Sequence, residues 1–329
     1  MIRLLFLLLG TLLLGLLVWS LGPSEILRVT GELGWHSLPI LLCFSGYQLM
    51  RAVALKLSIL RGRQVPFRDA LWIRLSGDAM QSLTFSGPFL AEPTKAWLLR
   101  RRGLTLSEGF AATLTEYLAN LFVGAAMCGA GLLYIRSYGV LPPSAAGAAM
   151  GLIVASAGLL IAAATAIVTR FYLIGTVIGW LGRLGVLRGR LKPDVAAINR
   201  MEDLLLGVLH DRPARLATVL FVEAVAQAAL VLEVLWVLRA LEFAAPAIYP
   251  LVIEAATKFI GLAFFFVPLQ IGAAEGSYAV IFTALGLPAA AGFSLAFVRR
   301  CRSLLVASAG VAALNALTSA AAPQTTERM

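Results

Sequence analysis

The sequence predicts an all-α polytopic membrane protein with about six full transmembrane helices and two broken, re-entrant helical hairpins, arranged as two inverted repeats. Three observations lead there. Sixty per cent of the 329 residues are hydrophobic and 13% are charged, about half the charge of an ordinary soluble domain. Several uncharged runs reach about 20 residues, the length that crosses ~30 Å of hydrocarbon as a helix. The stretch FSGPFLAEPTKAW, from Phe85 to Trp97, breaks an apolar region with Gly87, Pro88 and Pro93, sets Glu92 and Lys95 beside the break, and has an echo 183 residues later.

The first apolar run, LLFLLLGTLLLGLLVWSLG after Arg3, is longer than a signal-peptide core and lacks a small-x-small cleavage site. It is expected to be an uncleaved first span. The full spans are predicted at about 3–21, 35–58, 106–135, 145–169, 215–239 and 291–316. Basic residues stay on the cytoplasmic side of a membrane. Arg61, Arg63, Arg68, Arg74, Lys95, Arg100, Arg101 and Arg102 mark one cytoplasmic region, and 170–215 another, with the cluster Arg183, Arg188, Arg190 and Lys192. The stretches 22–34 and 136–144 hold one arginine each, Arg28 and Arg136. This bias places both termini in the cytoplasm, in a bacterial-type inner membrane.

Two apolar stretches do not fit full crossings. Residues 70–97 have basic loops on both sides, so a hairpin that enters from the cytoplasm and turns back at Gly87-Pro88 resolves the conflict. Residues 249–286 break around Pro268 and Gly272 and enter from the opposite face. The alternative is eight or more full spans. Broken backbone at membrane depth is tolerated where protein or a water-filled cavity surrounds it. Residues 171–213 mix apolar positions at helical spacing with charges, as interfacial amphipathic helices do. The chain therefore reads as one integral membrane domain over 1–329. Repeat 1 covers about 35–135, an interfacial connector about 171–213, and repeat 2 about 215–316.

The repeat is visible residue by residue. A shift of 183 sets Glu92 on Glu275, Ala96 on Ala279, Gly103-Leu104 on Gly286-Leu287, and Gly109-Phe110 on Gly292-Phe293. That shift crosses the membrane an odd number of times in the predicted topology, which inverts the second copy. Inverted repeats with discontinuous helices near the midplane are the architecture of many secondary transporters, and the broken segments mark their sites.

Ionisable residues inside apolar helices are costly and usually face a cavity or a partner. Glu92, Lys95, Glu116, Glu275, Arg299, Arg300 and Arg302 are the candidate substrate-binding residues. The same register sets Glu116 on Arg299. An arginine fork matches phosphate or carboxylate, so a lipid headgroup phosphate suits the Arg299–Arg302 cluster. The structural alternative is that Glu116 bridges to Arg299 and ties the halves together. Glu254 and Lys258 read as a pair within one helix, and Glu223 and Gln227 as either structural or cavity-lining. Arg51 and Lys56 read as snorkelling at a helix end, and Arg100–Arg102 as an anchor. Cys43, Cys128 and Cys301 lack ligand spacing, and His36 and His210 are far apart. No metal site and no cofactor are expected, and the basic charge follows loops in a way that argues against nucleic acid.

The segment PFLAEPTKAWLLRRRGLTLSEGFAATLTEYLANL, together with VPLQIGAAEGSYAVIF and FVRRCRSLL, resembles the two hallmarks of the lysylphosphatidylglycerol synthase transmembrane-region family, also called flippase-like membrane proteins. Glu92, Lys95 and Glu116 fit the first hallmark. Tyr117 stands where arginine is common and Asn120 where an acidic residue often falls, and no Gly-Gly precedes Glu92. The resemblance covers roughly 1–316 and implies the stand-alone form, without the soluble aminoacyl-transferring domain. It implies movement of an anionic or phosphate-bearing lipid, or an embedded enzyme, subunit or scaffold of aminoacyl-lipid, hopanoid or glycolipid synthesis. A lipid-biosynthesis enzyme is then a possible partner. No nucleophile–histidine or metal constellation is present, so the chain is expected to bind and move lipid and not to catalyse.

Overall fold

The computed structural model describes residues 34–59, 64–84, 87–137, 143–169, 195–210, 212–240, 242–243, 246–263 and 273–319. Among them it is helical throughout, after a short 3-10 turn at Gly34–His36. The helices are α1 (Ser37–Ser58), α2 (Phe67–Leu83), α3 (Pro88–Arg100), α4 (Leu106–Ser137), α5 (Pro143–Thr169), α6 (Val195–His210), α7 (Pro213–Ala240), α8 (Tyr249–Ala263), α9 (Ala273–Ala284) and α10 (Ala289–Ser319). The chain is a polytopic helical membrane protein. Gly34–Ser58, Leu106–Ser137, Pro213–Ala240 and Ala289–Ser319 are long and apolar enough to cross a membrane, and α5 carries the apolar stretch Ala149–Thr165. The expected span at 3–21, the break at Pro268 and Gly272, and the basic cluster at 183–192 lie outside the described residues.

Apolarity and stripe geometry explain α1. Ile40, Phe44, Gln48, Arg51, Ala52 and Leu55 face inward, while Leu38, Leu41, Leu42 and Leu49 point outward, as a helix bathed in hydrocarbon does. The short helices are too brief to cross unaided. At 1.5 Å per residue, α2 is about 25 Å long and α3 about 20 Å. Between them Gly87 has φ +46°, a conformation that favours glycine, and Pro88 opens α3 where its missing N–H costs nothing. Asp69, in the first turn of α2, lies 3.2 Å from Arg102, just past α3. The two helices thus form a hairpin whose ends meet.

One expected break is not there. Pro93 sits inside α3 without ending it. The fixed φ of proline is a helical value, so what it loses is one backbone donor. Glu92 and Lys95, on either side of it, pair within α3, and Lys95 anchors the helix to Glu116 of α4.

The turns that follow the short helices repeat. Gly103 (φ +92°) and Gly286 (φ +73°) end α3 and α9 in left-handed conformation. Leu104 N–H reaches back to Leu99 O at 3.4 Å, and Leu287 N–H to Phe282 O at 2.9 Å. This is the glycine-terminated cap that satisfies orphan carbonyls. The α4 start adds a capping box: Thr105 N–H donates to Glu108 Oε2 (2.7 Å) and Glu108 N–H to Thr105 Oγ1 (3.2 Å).

Two runs of four helices share the order long, short, short, long. They are α1–α4, with 22, 17, 13 and 32 residues, and α7–α10, with 28, 15, 12 and 31. Their packing interlocks, with α1 along α7, α2 along α10 and α8 along α4. Small residues permit this closeness. Gly310 of α10 lies against the Leu75 carbonyl of α2. Arginines close the ends: Arg215 donates to Leu57 O and Ile59 O at the end of α1, and Arg101 to Thr318 O (3.0 Å) at the end of α10. In the connector, α6 lays Met201, Leu205 and Leu206 inward against the bundle.

Candidate functional site

The candidate site is built on charges that apolar helices carry into the interior. Glu116, on α4, is fully buried and collects cations from three other helices. Arg51 of α1 pairs with its Oε1, Arg74 Nε of α2 lies 3.3 Å from the same oxygen, and Lys95 Nζ of α3 lies 3.0 Å from Oε2. Lys95 also holds Glu92, one turn earlier, at 2.8 Å, and Arg74 holds Asp78. Gln48 Nε2 donates to Asp78 Oδ2 at 2.8 Å. Glu223 of α7 lies 3.5 Å from Arg51 Nε and accepts from Asn120 Nδ2 at 2.9 Å. Gly77 makes room for this: a Cβ there would meet Lys95 Cγ at 2.6 Å.

Arg299, on α10, organises the second network. Its Nη2 pairs with Glu254 of α8, its Nη1 donates to Tyr278 Oη of α9 at 3.0 Å and to Thr257 Oγ1 at 3.3 Å, and its Nε lies 3.5 Å from Glu233 of α7. Glu254 also holds Lys258 at 2.7 Å, the within-helix pair that the spacing predicts. Arg302 pairs with Glu233 and stacks 3.8 Å over the Phe44 ring, and Arg300 pairs with Glu275.

The two networks correspond at four positions with the signs exchanged. Arg51 stands 182 residues before Glu233, Arg74 and Asp78 stand 180 before Glu254 and Lys258, and Glu116 stands 183 before Arg299. Lys95 corresponds to Tyr278, which donates no charge but still touches the hub. Glu92 and Glu275 keep the same sign. Each half thus has one hub on its second long helix and contacts from its other three helices.

Several expectations change. Glu116 and Arg299 do not bridge to each other; each is the centre of its own network. Glu92 and Glu275 sit in different networks, on Lys95 and on Arg300. Arg51 does not snorkel; its guanidinium is buried because Glu116 draws it inward. Arg74 and Lys95 are likewise buried pairs and not loop charges. The arginines of 299–302 do not stand as an open cluster, since each holds a carboxylate. Arg74, Asp78, Gln48, Glu233 and Tyr278 were not singled out from sequence, although the same displacement of about 180 residues that pairs Glu92 with Glu275 would have found most of them.

Tyr47 joins the networks. Its hydroxyl accepts from Arg51 Nη1 at 2.9 Å, and its ring centre lies 5.9 Å from Lys258 Nζ. Phe44, stacked on Tyr47 at 5.7 Å, carries the contact on to Arg302. Helix α7 makes a second link, because Glu223 belongs to the first network and Glu233 to the second. Such buried, paired charges can exchange a carboxylate for a phosphate on an arginine, or an ammonium for a lysine or arginine on a glutamate.

A family profile described as lysylphosphatidylglycerol synthase TM region matches residues 2–310. No curated protein and no solved structure matches the chain.

Proposed function

The chain belongs to the lysylphosphatidylglycerol synthase transmembrane-region family, and on that premise we propose that it moves a phosphate-bearing, polar-headgroup lipid across the cytoplasmic membrane. The observation that carries this is the pair of buried, sign-exchanged ion networks, one in each four-helix half. In this account the halves are inverted copies, and α2–α3 and α8–α9 are re-entrant hairpins that enter from opposite faces. Both ends of the chain lie in the cytoplasm. Discontinuous helices meeting at a charged centre are how transporters of this architecture hold polar cargo.

Arg299 is committed to the hub by Glu233, Glu254, Thr257 and Tyr278, so it acts by positioning. Arg300 and Arg302 offer the exchangeable sites. A headgroup phosphate displaces Glu275 from Arg300 or Glu233 from Arg302, and the bidentate fork compensates for the lost pair. Breaking one network while the other stays closed exposes the headgroup to one face at a time. The groups bind and are not spent in a reaction.

The test is the accessibility of fluorescent phospholipid headgroups to a membrane-impermeant reductant in proteoliposomes. Wild type is expected to render reducible more lipid than the outer leaflet holds, and Arg302→Met and Arg300→Met to lose that excess while remaining folded. No excess with wild type across phosphatidylglycerol, phosphatidylethanolamine and aminoacylated phosphatidylglycerol would contradict translocation and favour a partner role beside a lipid-biosynthesis enzyme.

A further inference from the structure

Gln227 is the polar side chain that the two networks leave out. It lies on α7, is 1% exposed, and neither its Nε2 nor its Oε1 has a hydrogen-bond partner among the described residues. The amides within the networks have at least one partner: Gln48 donates through Nε2 to Asp78, although its Oε1 is unmet, and Asn120 donates to Glu223. A buried amide with donor and acceptor both unmet is among the less stable things to place in a low-dielectric interior. Such groups in native proteins call for a specific occupant.

Its position suggests which one. Glu223, one turn before it and about 6 Å along the axis, faces Arg51 in the first network. Glu233, about 9 Å further on, holds Arg302 in the second. Tyr47 spans the same interval from α1, through Arg51 on one side and Lys258 on the other. Along the axis of α7 Gln227 thus lies between a residue of each network, on nearly the same face as Glu223 and about 120° round from Glu233.

We propose that Gln227 binds the uncharged, hydrogen-bonding part of the headgroup, a hydroxyl or amide beyond the phosphate, and so selects lipids that carry one. This rests on the lipid-moving reading above. A primary amide suits the role because it donates and accepts at once, and it loses both when the ligand lacks such a group.

Leucine and methionine match the volume of glutamine without its polar atoms, so the test compares wild type with Gln227→Leu and Gln227→Met. The readout is thermal stabilisation of the full-length protein in detergent by dioctanoyl phosphatidylglycerol, whose headgroup has two hydroxyls, and by dioctanoyl phosphatidylmethanol, which has none. Wild type is expected to prefer phosphatidylglycerol. The variants are expected to unfold at the same temperature or higher without lipid, to bind phosphatidylglycerol about tenfold more weakly, and to bind phosphatidylmethanol as before. If both variants fail to fold, or unfold at lower temperature with the lipid preference intact, Gln227 is a structural group and the assignment falls. If wild type is stabilised by neither lipid and gives no excess accessibility in proteoliposomes, the lipid-moving reading falls with it. If wild type is stabilised by both lipids without preference, the Gln227 assignment alone is overturned.

Discussion

At the residue scale, the molecule is organised by two side chains of opposite sign, Glu116 and Arg299. Removing one partner from a buried ion pair costs more than the pair contributes, because the remaining charge is stranded. Glu116→Gln takes from Arg51, Arg74 and Lys95 the one carboxylate they share, leaving them Glu223, Asp78 and Glu92, and is expected to cost about 3–5 kcal/mol. Glu92→Gln takes from Lys95 a carboxylate that Glu116 also supplies, so its effect should be distinctly smaller. Midpoints of thermal unfolding in detergent, measured for the two variants side by side, check that order. Equal midpoints would mean that Glu116 is not a hub. Asn120 bears on the same network. It donates to Glu223, and an acidic residue there would instead place a second carboxylate against it, so the amide matches this arrangement of charges.

At the element scale, close approach of short helices to long ones is written in glycines. A Cβ on Gly109 of α4 would meet Ala96 O of α3 at 2.8 Å, and one on Gly292 of α10 would meet Tyr278 O of α9 at 2.6 Å. The two contacts correspond to within one residue, since 109 and 96 become 292 and 279 under the shift of 183 and the Cβ at 292 would meet Tyr278 O and, at 3.0 Å, Ala279 N. Gly109→Ala and Gly292→Ala are each expected to destabilise by about 1–3 kcal/mol through overpacking against backbone. Gly151→Ala, where nothing lies within 4 Å, should leave stability unchanged or raise it slightly. A uniform effect at all three positions would remove the packing explanation. The long elements were legible from apolarity alone: predictions at 106–135, 145–169, 215–239 and 291–316 match α4, α5, α7 and α10 to within a few residues. The hairpin turn at Gly87-Pro88 was legible too, because few conformations suit that dipeptide. Pro93 misled because the fixed φ of proline is a helical value, so α3 continues through it despite one lost backbone donor and crowding of the preceding turn. The Glu254–Lys258 pair was legible from its spacing, but the partners on other helices were not, because Arg51 meets Glu116, and Arg299 meets Glu254, across long stretches of chain. Position along an apolar run says that a charge is buried or snorkelled, and packing decides which.

At the scale of the whole molecule, the two four-helix halves interlock through α1 with α7, α2 with α10 and α8 with α4. Opening one half thus means moving an element that rests on the other. The sign exchange between the networks gives the halves complementary ends, with three cations and four carboxylates in the first and four cations and three carboxylates in the second. Tyr47 and α7 connect them. If the halves are inverted copies, equivalent positions on the two hairpins face opposite sides of the membrane. Thr94, on α3, and Ser277, on α9, are such a pair at the shift of 183, and both are half-buried. The most direct measurement is sided labelling of Thr94→Cys and Ser277→Cys by a membrane-impermeant maleimide, in oriented vesicles and with Cys43, Cys128 and Cys301 replaced. The account predicts that the two positions react from opposite faces. Labelling of both from one face would contradict the inverted arrangement, and with it the alternating exposure on which translocation depends.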